Sequence, residues 1–106
     1  MGIKENLNKL LEDGQDNLML RFGLAQMYLN EGQADIAIKH LLKALEFDPA
    51  HSASWKLLGK AYTDTGQEKN AVETYMKGIQ MAQSKGDIQA SKEMTVFLKR
   101  VQKNHP

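Results

Sequence analysis

The sequence predicts an all-α protein, a stack of antiparallel helix pairs in which two repeats are flanked by one additional helix on each side. Three observations carry that prediction. The first is self-similarity. Shifting the 106-residue chain by 34 positions lays Leu24 on Leu58, Tyr28 on Tyr62, Gly32-Gln33 on Gly66-Gln67, Ala37 on Ala71 and Lys43 on Lys77, and a fixed period of this length marks a helical repeat. The near-matches Ala25/Gly59 and Leu41/Tyr75 also fall on small or aromatic positions, where packing is decided. The second observation is apolar spacing of three and four residues in six segments, with no alternation that would suggest strands. The third is punctuation by glycine, aspartate and proline at short intervals between those segments.

Each element follows from these signals in turn. Ile3, Leu7, Leu10 and Leu11 make one face of a short first helix that stops at Asp13-Gly14. The next begins near Asp16 or Asn17 and runs to about Glu31, with Leu20, Leu24, Met27 and Tyr28 on one side; Gly32 ends it. A third covers Ala34 to Glu46, with a buried face expected from Ala37, Ile38, Leu41, Leu42 and Leu45, and Asp48-Pro49 forbids its continuation. Ser52 is expected to cap the Trp55 helix, which closes at Asp64-Thr65-Gly66. Glu68 to about Ser84 follows, aligning Val72, Tyr75, Met76 and Ile79. Gly86-Asp87 then separates it from a last helix, Ile88 to about Lys103, whose apolar series is Ile88, Met94, Phe97, Leu98 and Val101. The expected organisation of 1–106 is one domain: a flanking helix over 1–13, repeats over 18–51 and 52–85, and a capping helix over 87–103. Two repeats alone would leave an apolar face open at each end of the stack, which is the physical need for the flanking helices.

Composition narrows the function classes. An apolar content of 42% is enough for one continuous core in a chain of this length. Cysteine is absent, which removes disulfides and thiolate metal sites. Charges at Lys4, Glu5, Lys9 and Glu12 interrupt the amino-terminal segment, so neither a signal peptide nor a membrane-spanning stretch is expected and the default location is cytoplasmic. Met1-Gly2 begins like a myristoylation site, but Asn6 stands where that motif needs Ser or Thr. The formal net charge of +1 argues against a general attraction to nucleic acid. Lys92, Lys99, Arg100 and Lys103 make the last helix the basic region; without interleaved aromatic residues it reads as a solvated face rather than a nucleic-acid surface.

Trp55-x-x-Leu58-Gly59-x-x-Tyr62, followed by Gly66, Ala71 and Tyr75, resembles the signature of the tetratricopeptide repeat. The likeness covers residues 18–85 well and the flanks loosely, as in the small free-standing repeat proteins of bacteria. The resemblance implies a right-handed superhelical α-solenoid that binds a partner protein or peptide through its concave face and acts as a scaffold rather than an enzyme. It assigns the aromatic residues and the small residues Ala25, Gly59, Ala37 and Ala71 to packing. It assigns Met19, Phe22, Gln26 and Leu29 from the first repeat and Lys56, Lys60 and Thr63 from the second to the groove, with Ala90, Met94 and Phe97 added by the last helix.

Lys56 and Lys60, four residues apart, share a helix face, so two ammonium groups either enter the groove and attract a carboxylate or stay solvated. Met19, Phe22 and Leu29 either lie under a flanking helix of this chain or form an open surface for a peptide or for a second copy. The lysine, asparagine and arginine clamp with which some family members hold chaperone tails is absent: the matching positions read Phe22, Gln26, Leu57, Asp87 and Ser91.

No catalytic site, metal or cofactor is expected. Asp48, His51 and Ser52 crowd one loop, but a helix stop and a helix start explain them, and a triad needs an oriented base beside an oxyanion site. His40 is expected on a charged helix face, with His51 in a loop and His105 in the tail, and no pair of histidines has ligand spacing. The glycines mark turns rather than a phosphate loop.

Overall fold

A computed structural model describes residues 2–104 and places them in six helices, with no strand among them: α1 (Ile3–Glu12), α2 (Leu18–Asn30), α3 (Ala34–Phe47), α4 (Ser52–Asp64), α5 (Glu68–Ser84) and α6 (Ile88–Asn104). Met1, His105 and Pro106, and with them the tail position expected for His105, lie outside the described residues.

Turn chemistry sets the boundaries. Gly32 and Gly66 take φ of +77° and +74°, a left-handed conformation that other residues resist. That turn lets the amide of Gln33 donate to the Tyr28 carbonyl at 2.9 Å and that of Gln67 to the Tyr62 carbonyl at 2.8 Å, satisfying carbonyls the helix ends would otherwise leave open. Asn17 starts α2, its side-chain oxygen accepting from the Leu20 amide at 2.9 Å. The α3–α4 turn is held by Asp48, which accepts from the Ala50 amide at 3.0 Å, and by the Pro49 carbonyl, which accepts the Trp55 indole N–H at 2.7 Å. Ser52 is not the cap that the sequence suggests. It is the first helical residue, and His51 occupies the cap position without a side-chain bond to the backbone amides of the first turn. The His51 ring instead pairs through Nδ1 with the Ser54 hydroxyl at 2.7 Å.

Consecutive helices pack against each other, and α2, α4 and α6 also touch across the intervening helices. These three form the inner row, with α3 and α5 outside. The smallest dimension of 18 Å is that of two helix layers. One core cluster joins Ala25, Ala37, Ile38, Leu41, Leu45, Leu58 and Ala61, a second joins Ala71, Tyr75, Ala82, Ala90, Met94 and Val101, and Trp55 and Tyr62 pack against both. The signature aromatic residues therefore join one repeat to the next.

Close approach depends on two glycines. A Cβ at Gly59 would collide with the Tyr75 ring, and one at Gly78 would lie 2.6 Å from the Met94 sulfur and 2.7 Å from Trp55 Cβ. Leu42 and Met76, expected on buried faces, are instead exposed at 46% and 56%. They occupy the same repeat position on the convex side, where no third layer packs. Helix α1 buries no residue of its own and docks on α2 through polar contacts, with Asn8 donating to the Tyr28 hydroxyl at 3.0 Å and Lys4 paired to Glu31 at 2.7 Å.

His40 is a further correction. Rather than lying on a charged surface it is buried, stacked on Tyr28 with ring centroids 5.6 Å apart, and its Nδ1 is 3.0 Å from the Arg21 guanidinium, which also forks onto Asp16. Arginine has only donors to offer, so His40 accepts through Nδ1 and is neutral.

Candidate functional site

The inner row of helices encloses a concave groove of about 680 Å³. Its floor is apolar: Phe22 from α2, Ala53 and Leu57 from α4, Tyr75 from α5, and Phe97 and Val101 from α6. Helical spacing explains why these side chains converge. On α4, positions 53, 56, 57, 60 and 63 fall on one face, and on α6 so do 93, 97, 100 and 101. Two ring pairs support the floor: Phe22 meets His51 edge-on at 5.1 Å, and Tyr75 is tilted against Phe97 at 5.8 Å. Burial pushes the Tyr75 phenol up to about 12, the nearby Thr63 hydroxyl pulling weakly the other way, so this wall is uncharged at neutral pH.

The rim is charged and largely self-paired. Lys56 on α4 reaches Glu93 on α6 at 3.2 Å, an ion pair that ties the second repeat to the last helix. Lys60 pairs with Asp64 one turn later at 3.1 Å. Both pairs are partly exposed and hence individually weak. Thr63 turns its hydroxyl back to the Gly59 carbonyl at 2.8 Å. Arg100 lies with its guanidinium 5.8 Å from the centre of the Phe97 ring and makes no ion pair among the described residues.

Six of the ten residues assigned to the groove from sequence line it: Phe22, Gln26, Lys56, Lys60, Thr63 and Phe97. The other four lie elsewhere. Met94 is fully buried in the second core cluster, with its sulfur in the space Gly78 leaves, and Ala90 is buried beside it. Leu29 is half-buried against the first core cluster. Met19 is exposed at the first turn of α2, outside the groove walls. Neither terminal helix roofs Phe22, which opens into the groove.

Sequence reasoning missed Glu93, Arg100 and Val101 because α6 lacks the repeat signature and its rotation cannot be aligned from the other repeats. The 93/97/100/101 spacing around Phe97 was the available signal.

The Asp48, His51 and Ser52 loop assembles no catalytic arrangement. Ser52 and Ser54 are buried, and the His51 imidazole, with its pKa lowered chiefly by burial, faces Ser54 rather than an open site. No group of three metal-ligating side chains occurs among the described residues, and none of their helices is long and apolar enough to cross a membrane.

Comparison with known proteins agrees with this geometry. The family model described as tetratricopeptide repeat matches residues 20–51 and 53–85. A tetratricopeptide-repeat-containing protein of Pseudomonas aeruginosa is 47% identical over 97 residues, covering 92% of each chain. A Bordetella parapertussis protein solved in solution superimposes with a TM-score of 0.86 at 41% identity, over 98% of this chain and 90% of its own. A tetratricopeptide repeat domain from Salinibacter ruber gives 0.75 at 26%, over 81% and 87%. Such repeats generally mediate protein–protein interaction, as scaffolds rather than enzymes. With two matched repeats and a relative this similar over nearly its whole length, the chain belongs to the tetratricopeptide repeat family.

Proposed function

We propose that this chain is a cytoplasmic adaptor that binds a peptide segment of a partner protein in the concave groove between α2, α4 and α6, and that it performs no chemistry itself. In this reading residues 1–106 work as one unit, with the flanking helices closing the ends of the stack. The observation that carries it is the groove: an apolar floor left uncovered by the chain's own helices, of a volume common for binding sites, with a rim that can orient a ligand. Phe22, Leu57 and Phe97 are the anchors, because large rigid side chains in a concavity dominate binding energy.

The test is a chemical-shift titration of the isotope-labelled chain with peptides selected from a displayed random library. Amide shifts are expected at Phe22, Leu57, Lys60 and Phe97, and Phe97→Ala should weaken binding about tenfold or more with the helical signal unchanged. Shifts concentrated on the convex residues Leu42 and Met76 would refute the assignment. Concentration-dependent mass without any groove ligand would favour self-association instead.

A further inference from the structure

We infer that the segment this groove accepts carries a large apolar side chain together with a side-chain carboxylate, and that the carboxylate is received by Arg100. The inference rests on the groove reading above and adds the chemistry of the occupant. The lining holds three cations, Lys56, Lys60 and Arg100, against two carboxylates, Asp64 and Glu93. Both carboxylates are already engaged by the lysines, at 3.2 Å and 3.1 Å, so a partner that took either lysine would exchange one weak pair for another.

Arg100 differs from the lysines. It has no ion pair among the described residues, and its position over the Phe97 ring restrains the guanidinium without using its hydrogen-bond donors. A planar donor fork pre-oriented beside an apolar floor fits a carboxylate next to a buried side chain. The lining includes Phe22 on α2, Leu57 on α4 and Arg100 on α6, so a segment that fills it crosses three helices. The source of charge in this inference is an aspartate or glutamate side chain, and a free chain end is the alternative that the experiment separates from it.

The experiment uses the full chain and the library-selected peptides, each synthesised once with an amidated and once with a free carboxyl end. Peptides that shift Phe22, Leu57 and Phe97 are expected to contain Asp or Glu beside a large apolar residue. Changing that acid to its amide should weaken binding about two- to fivefold, the range for a partly exposed pair. The same change should have no effect on the Arg100→Gln protein, and Arg100→Glu should recover affinity for a peptide bearing Lys at that position. Groove-binding peptides without an acid, an equal loss in wild type and Arg100→Gln, or binding that requires a free carboxyl end would each overturn the inference and leave the groove reading standing. If no selected peptide perturbs the groove residues, both fall. Arg100 is exposed, and an unchanged helical signal checks that its variants remain folded.

Discussion

Replacing Gly59 by alanine should destabilise the protein, although alanine is the better helix former. In an open helix the change would stabilise by about 1 kcal/mol. Here the added methyl would meet the Tyr75 ring, with Cδ1 2.7 Å away and two other ring atoms closer still. The ring is held on the other sides: Tyr75 is 3% exposed and Phe97 stands against it at 5.8 Å, which leaves the groove as its one free direction. The methyl is accommodated by displacing the ring into the groove or by separating α4 from α5, and overpacking of this kind costs about 1–3 kcal/mol.

The net loss after the propensity gain is about 0–2 kcal/mol, or up to roughly 16 °C in melting temperature for a domain of this size. Urea and thermal unfolding followed by helical circular dichroism measure it. Two controls sharpen the test. Gly23→Ala, where the nearest atom would be Leu7 Cδ1 at 3.6 Å, should stabilise by about 0.5–1 kcal/mol. In a Tyr75→Leu background, which recreates the Ala25/Leu41 pairing of the first repeat, Gly59→Ala should become neutral or stabilising. A Gly59→Ala protein that gains stability as Gly23→Ala does, or a cost unchanged by Tyr75→Leu, would refute the packing argument.

Two further outcomes follow from single side chains. Burial first, and the Arg21 charge second, hold the His40 pKa below its ordinary value of 6.5, while Asp16 opposes them. A depressed folded-state pKa means that the unfolded chain takes up the proton first, so stability is complete above pH 6.5 and falls as pH drops toward the His40 value. Proton resonance titration of the imidazole should show this low value, and His40→Gln should flatten the acid slope of the urea midpoint. A His40 that titrates at or above 6.5 would contradict the Arg21 contact. Asn17→Ala removes the one side-chain cap of α2 and should cost about 1 kcal/mol in urea unfolding, with Asn17→Asp close to wild type; equal stability of all three proteins would mean that the cap contributes nothing.

The helices were readable because their signals are local. Glycine turns, Asp48-Pro49 and apolar spacing act within a few residues, and the six helices follow them closely. The residues misread from sequence depend on what faces them across the fold. Leu42 has the right spacing for a buried face, yet no layer covers the convex side. His40 has lysine on one side of it in sequence at Lys39, yet Arg21 and Tyr28 from the preceding helix enclose it. The capping role expected of Ser52 passed to no side chain, because the Asp48-Pro49 turn already fixes the entry to α4.

The groove was only partly legible for a related reason. On α2 and α4 the repeat alignment indicates which face turns inward, and Phe22, Gln26, Lys56, Lys60 and Thr63 line the groove, whereas Met19 and Leu29, assigned to it from the same alignment, do not. On α6 the rotation is set by a core contact between non-equivalent residues: the absence of a side chain at Gly78 admits the Met94 sulfur against Trp55. Burying Met94 turns the helix so that Phe97, Arg100 and Val101, three, six and seven residues on, face the groove. Packing thus determines which α6 residues the groove displays. The missing Cβ at Gly78 positions Arg100 as much as Arg100's own place in the sequence does.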